Sequence, residues 1–188
     1  MTAAASRRAI RAGARRVART AVVACLAACL DAAVAGAQRP AARARPTKAD
    51  TAAVLAALQS FLDAIERRDS TLARSVLMPE SVIASAAVDG GPPRPPRVRA
   101  GLDDARRIAQ LEGAMLERIW SPTVLIEGPM AVVWAPYDFH VDGRFTHCGV
   151  DTATLFHDGK GWRMLSLAYT MQPSGCPPTP LPPPPGRR

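Results

Sequence analysis

What this chain of 188 residues lacks removes most of the chemistry a protein of its size could carry. Histidine is scarce, with three copies, and aromatic residues make up 5%. His140, His147 and His157 share no tight ligand spacing, and no cysteine stands in a Cys-x-x-Cys or His-x-Cys arrangement. The motifs therefore imply no metal. There is no glycine-rich phosphate loop and no nucleophile elbow, so nothing points to a nucleotide, a cofactor or an activated serine. No uninterrupted apolar run is long enough for a membrane span.

Acidic charge is also in deficit, with 24 Lys and Arg against 16 Asp and Glu for a net charge of +8. The excess lies at the ends. Six arginines precede Thr20, three lie within residues 39–45, and two end the chain. Between Lys48 and Gln172 there are 13 basic and 15 acidic residues. A domain without net positive charge has no footprint for DNA or RNA, and nucleic-acid binding is excluded as the reading.

The basic N-terminus has an explanation of its own. After Arg19 comes a short apolar stretch, then Ala35-Gly36-Ala37 ahead of Gln38. A basic start, a short apolar core and a small-x-small site are the marks of an export signal. Residues 1–37 are read as that signal and residues 38–47 as a flexible linker, giving an exported, periplasmic or secreted protein. Leu26-Ala27-Ala28-Cys29 offers a second processing site, which would leave a lipoprotein anchored at Cys29. Export would remove Cys25 and Cys29 and leave Cys148 and Cys176. Two cysteines in an oxidising compartment pair as a disulfide, free thiols being the alternative. The reach is short, because Cys148 lies near where Met171 would pair and Cys176 follows within a few residues.

Residues 48–172 carry the periodic patterns. Thr47 and Asp50 have the spacing of a capping box, and Val54, Leu55, Leu58, Phe61, Leu62 and Ile65 recur at helical intervals. A short helix follows over residues 70–78, then a strand over 81–88 and a Gly/Pro loop over 90–96. A third helix is expected over 102–111 and strands over 115–120 and 123–127. Three long strands close the domain, Met130–Val141, Arg144–His157 and Trp162–Met171. Beyond Gln172, residues 173–188 are proline-rich and are read as a disordered tail. Helices first and hairpins last make this an α+β chain in the order α-α-β-α-β-β-β-β-β.

The order, together with Trp134-Ala-Pro-Tyr137-Asp-Phe139, Asp142-Gly143, His147-Cys-Gly149-Val-Asp151 and Gly161-Trp162-Arg-Met-Leu165, resembles the nuclear transport factor 2-like superfamily. It is most similar to exported bacterial members related to SnoaL-like and lumazine-binding-type domains. The resemblance implies a cone, a strongly bent antiparallel sheet packed on N-terminal helices around an internal pocket. It also implies a homodimer joined through sheet faces. Members of that superfamily include isomerases, cyclases, dehydratases and pure binding domains, so fold alone chooses no function.

A two-residue Asp142-Gly143 turn predicts the register of the last hairpin. Counting from it, Asp138 should face His147 and Trp134 should face Asp151. Asp138, His147 and Asp151 are thus the candidate catalytic residues, with Asp138 orienting His147 as an acid–base pair. Trp134, Tyr137 and Tyr169 are the candidate ligand-binding residues. The leading function is binding of a small apolar ligand or a protein partner, with proton transfer on a small molecule as the alternative. A titratable group inside the helix-covered cavity would separate the two.

Overall fold

The computed structural model describes residues 45–184, so the residues read as an export signal, with Cys25 and Cys29, and most of those read as a linker lie outside the described residues. The first helix, α1 (Lys48–Arg67), begins where the capping box places it. Thr47 Oγ1 accepts from the Asp50 amide at 3.2 Å, and the Thr47 amide donates to Asp50 Oδ2 at 2.7 Å. Arg68 ends the helix in the left-handed region, with φ 55°. Asp69 caps α2 (Ser70–Val76), which runs directly into strand β1 (Leu77–Ala87).

Two differences from the expected elements follow. Strand β1 starts four residues early because a register shift between Leu77 and Val82 absorbs Pro79, which cannot donate to a ladder. A strand not foreseen, β2 (Arg97–Ala100), pairs antiparallel with β1 beyond the Gly/Pro loop. Helix α3 (Gly101–Ile108) follows at once. Gly101 permits that turn, since a Cβ there would stand 2.1 Å from Ser81 Oγ.

The remaining strands are β3 (Met115–Ile119), β4 (Thr123–Glu127), β5 (Met130–Val141), β6 (Arg144–His157) and β7 (Trp162–Met171). The three long ones have the bounds read from the sequence. The sheet runs β2-β1-β7-β6-β5-β3, with β4 also paired to β5. It is mixed rather than wholly antiparallel, because β1 and β7 run parallel. It stays open, and the helices cover one face.

That covered face is made of alternate residues. Val133, Ala135, Ala153, Leu155 and Leu167 meet Val54, Leu58, Phe61 and Leu62 of α1, all within 3% exposure. Each buried Leu or Phe contributes about 1.5–3 kcal/mol of transfer free energy, so α1 is held mainly by this stripe. The opposite, outer face carries Trp134, Asp138, His140 and Cys148. Cys148 is bonded to Cys176, with Cα atoms 6.1 Å apart. The described tail, residues 172–184, forms no helix or strand, yet Arg118 Nη1 donates to Pro182 O at 2.5 Å. No helix among the described residues is long and apolar enough to cross a membrane.

Candidate functional site

Between the helices and the covered sheet face lies a cavity of about 280 Å³. Its walls are Phe61 and Ile65 of α1, Ile83 of β1, Ile108 of α3 and Leu167 of β7. Glu117, Tyr137, Phe139, His147 and Tyr169 bring polar or aromatic groups to it, and Arg99, Asp104 and Arg107 stand along its border.

The arrival of His147 there corrects the expected register. The Asp142-Gly143 turn forms as read, with φ 54° and 74°, and Val141 does pair with Arg144. One step later the ladder shifts. His140 pairs with Phe145, but Phe139 pairs with His147, leaving Thr146 as an extra residue on β6. Thr146 is held out of the ladder by its own side chain, Oγ1 donating to Phe139 O at 3.0 Å. A one-residue bulge reverses the facing of everything beyond it. Asp138 therefore opposes Cys148, and Ala135 rather than Trp134 opposes Asp151.

Asp138 and His147 are consequently not a pair. They occupy opposite faces of the sheet. Asp138 is bound on the outer face by Arg118, Nε to Oδ1 at 2.8 Å and Nη2 to Oδ2 at 2.6 Å, with His140 Nδ1 at 3.6 Å. That arrangement is a fork-to-fork ion pair, and the carboxylate has no free edge for proton transfer. Trp134 is 46% exposed, also on the outer face, and does not border the cavity.

His147, Tyr137, Tyr169 and Asp151 share the covered face. His147 stacks on Phe139 at 5.1 Å and meets the edge of Tyr137 at 5.7 Å. Burial lowers its pKa, so it is a neutral imidazole at physiological pH. The Tyr137 hydroxyl donates to Thr170 O at 2.7 Å, and burial raises its pKa far beyond reach. It is a fixed wall group.

Asp151 is 1% exposed and sits behind the cavity wall. Burial pushes its pKa up to about 7. Its neighbour is Glu117, on β3, whose pKa is raised well above the usual range, first by burial and then by the Asp151 charge. Two carboxylates here would leave both Asp151 oxygens without a donor. A proton on Glu117 resolves this, because the neutral acid donates to Asp151. The two carboxyls share a proton and titrate as a unit. Glu117 is the member that faces the cavity.

Sequence reading missed Glu117. Its one signal was position: in Met115-Leu-Glu-Arg-Ile, an acid alternates with Met115 and Ile119 on one strand face. Arg99 was missed because β2 was. Among the described residues no cluster of His, Cys, Asp or Glu could hold a metal ion.

No family model matches the chain, and no curated protein matches it significantly. Solved structures do. An NTF2-like protein of unknown function from Shewanella baltica superposes over 69% of this chain and all of its own, at 17% identity and TM-score 0.53. A candidate dehydratase of the NTF2-like family from Streptomyces avermitilis covers 65% of this chain and 96% of its own, at 18% identity and TM-score 0.53. The chain has the nuclear transport factor 2-like fold. A candidate aromatic ring hydroxylase from Novosphingobium aromaticivorans matches over 68% of this chain and 92% of its own, at 13% identity and TM-score 0.52. At such identities the likeness concerns the nuclear transport factor 2-like fold alone, and the differing activities named among its bearers leave function to the site.

Proposed function

We propose that the cavity binds a small, largely apolar molecule bearing a carbonyl or hydroxyl group, and that Glu117 moves a proton on it. The observation that carries this reading is the Glu117–Asp151 pair. It is a titratable acid beside an apolar cavity, its pKa raised well above the usual carboxylate range first by burial and then by a second carboxyl, Asp151, whose own pKa burial pushes up to about 7. A general acid or base works best when its pKa is near the operating pH. The shared proton shifts from Glu117 to Asp151, and the freed Glu117 carboxylate takes a proton from the bound molecule. The apolar walls exclude water and position the reactant, while Tyr137 and His147 shape the cavity. Such a step serves isomerisation or dehydration. The export-type N-terminus and the Cys148–Cys176 bond support a place outside the cytoplasm.

The test is solvent deuterium exchange into a small apolar ketone, α-tetralone, followed by proton NMR. The full chain should accelerate loss of the α-proton signals over buffer. Glu117→Gln should reduce that acceleration by about 100-fold, within the usual range for a general base, while ketone binding persists. A ketone that binds without accelerated exchange would reject proton transfer and leave a binding cavity.

A further inference from the structure

The border of the cavity says which class of molecule it takes, an inference that rests on the cavity being a small-molecule site. Arg99 comes from β2 and Asp104 from the first turn of α3. Arg99 Nε donates to Asp104 Oδ1 at 2.7 Å, with the side chains 28% and 17% exposed. Strand and helix thus clamp the guanidinium in one orientation. That bond uses Nε, and the Tyr169 hydroxyl lies beside the same guanidinium. Arg107 is one helical turn beyond Asp104 and borders the same cavity. Among the described residues no ion pair neutralises it.

Arg99, Arg107 and Asp104 together carry one net positive charge. Glu117 of β3 lines the same cavity, and the negative charge it shares with Asp151 repels an anion. The remaining walls are mainly apolar. A molecule in this space is therefore sorted end from end, its anionic group drawn to the arginines and its uncharged part left for Glu117.

We propose that the cavity takes an apolar organic acid carrying a single carboxylate. The carboxylate is bonded by Arg99 and Arg107 with the Tyr169 hydroxyl, and the reacting carbonyl or hydroxyl group lies toward Glu117. The planar guanidinium fork matches a carboxylate in geometry, and the single net charge matches a monoanion better than a phosphate dianion.

The test compares 4-phenylbutanoate with 4-phenylbutanamide, which has nearly the same shape and no charge, by isothermal titration of the full chain. The acid should bind tighter by about ten-fold or more, the worth of one charge-assisted hydrogen bond. Arg107→Met, at an exposed helix position, should bring the two affinities within about two-fold at an unchanged melting temperature. Arg99→Lys, which keeps the charge and loses the fork, should reduce the preference. Glu117→Gln, which leaves both arginines in place, should retain or raise it. Equal binding of acid and amide, no binding of either, or a preference untouched by Arg107→Met each overturns the proposal. Acid preference without α-tetralone exchange would retain this inference and reject proton transfer. Exchange without acid preference would do the reverse.

Discussion

The Asp151 carboxyl should make the fold less stable as pH rises, and replacing it should remove the effect. The folded pKa is lifted to about 7 from 3.8. Between those values the folded state binds more protons than the unfolded one, so its contribution is fully present below pH 3.8 and is lost as pH climbs toward 7. A shift of about three units corresponds to roughly 4 kcal/mol as an upper bound, at about 1.4 kcal/mol per unit. Sharing a proton with Glu117 lowers that, and about 2–4 kcal/mol is expected. Asp151→Asn keeps the shape and cannot ionise. It gives up at most a hydrogen bond worth about 1 kcal/mol. At pH 4.5 the variant should therefore be equal to the parent or slightly less stable. At pH 8 it should be more stable, by about 1–3 kcal/mol. Urea melts of both proteins from pH 4.5 to 8 read this directly, and the difference between the two curves cancels the titration of groups not coupled to Asp151, leaving that of the Asp151–Glu117 pair. A difference flat with pH, or a variant destabilised more at pH 8 than at pH 4.5, would refute the buried-acid reasoning.

Three further outcomes follow, each involving a residue of the outer face. Arg118→Ala or Asp138→Ala should each cost about 3–5 kcal/mol, since each strands a buried charge, and a double-mutant cycle should show strong coupling between them. The corresponding cycle between Asp138 and His147 should show coupling within about 0.5 kcal/mol, because they lie on opposite faces. Reducing the Cys148–Cys176 bond, which spans 28 residues, should lower unfolding free energy by about 3–4 kcal/mol in the chain-entropy model. An unchanged urea midpoint after complete reduction would contradict this.

The parts of this fold that were legible in the sequence are those set by short-range physics. The capping box at Thr47 and Asp50, the helical stripe from Val54 to Ile65 and the three strands around Asp142-Gly143 and Asp158–Gly161 are each decided by neighbouring residues. β2 was not legible, because Arg97-Val98-Arg99-Ala100 is only four residues long, follows a proline-rich loop and stays mostly exposed, and it becomes a strand only by pairing with β1. The parallel join of β1 and β7 is likewise a tertiary choice.

The candidate site depended on one residue, Thr146. Nothing in Arg144-Phe-Thr-His marks a bulge, since threonine is an ordinary strand residue. The extra residue exists because the Thr146 hydroxyl finds Phe139 O. The bulge also places like with like: it sends Cys148 outward to its partner Cys176 and brings Asp151 inward to Glu117. A strict register would have buried a disulfide cysteine under α1 and left Asp151 on the outer face. The same local choice that defeats a count from the turn thus creates the buried carboxyl pair on which the proposed chemistry rests.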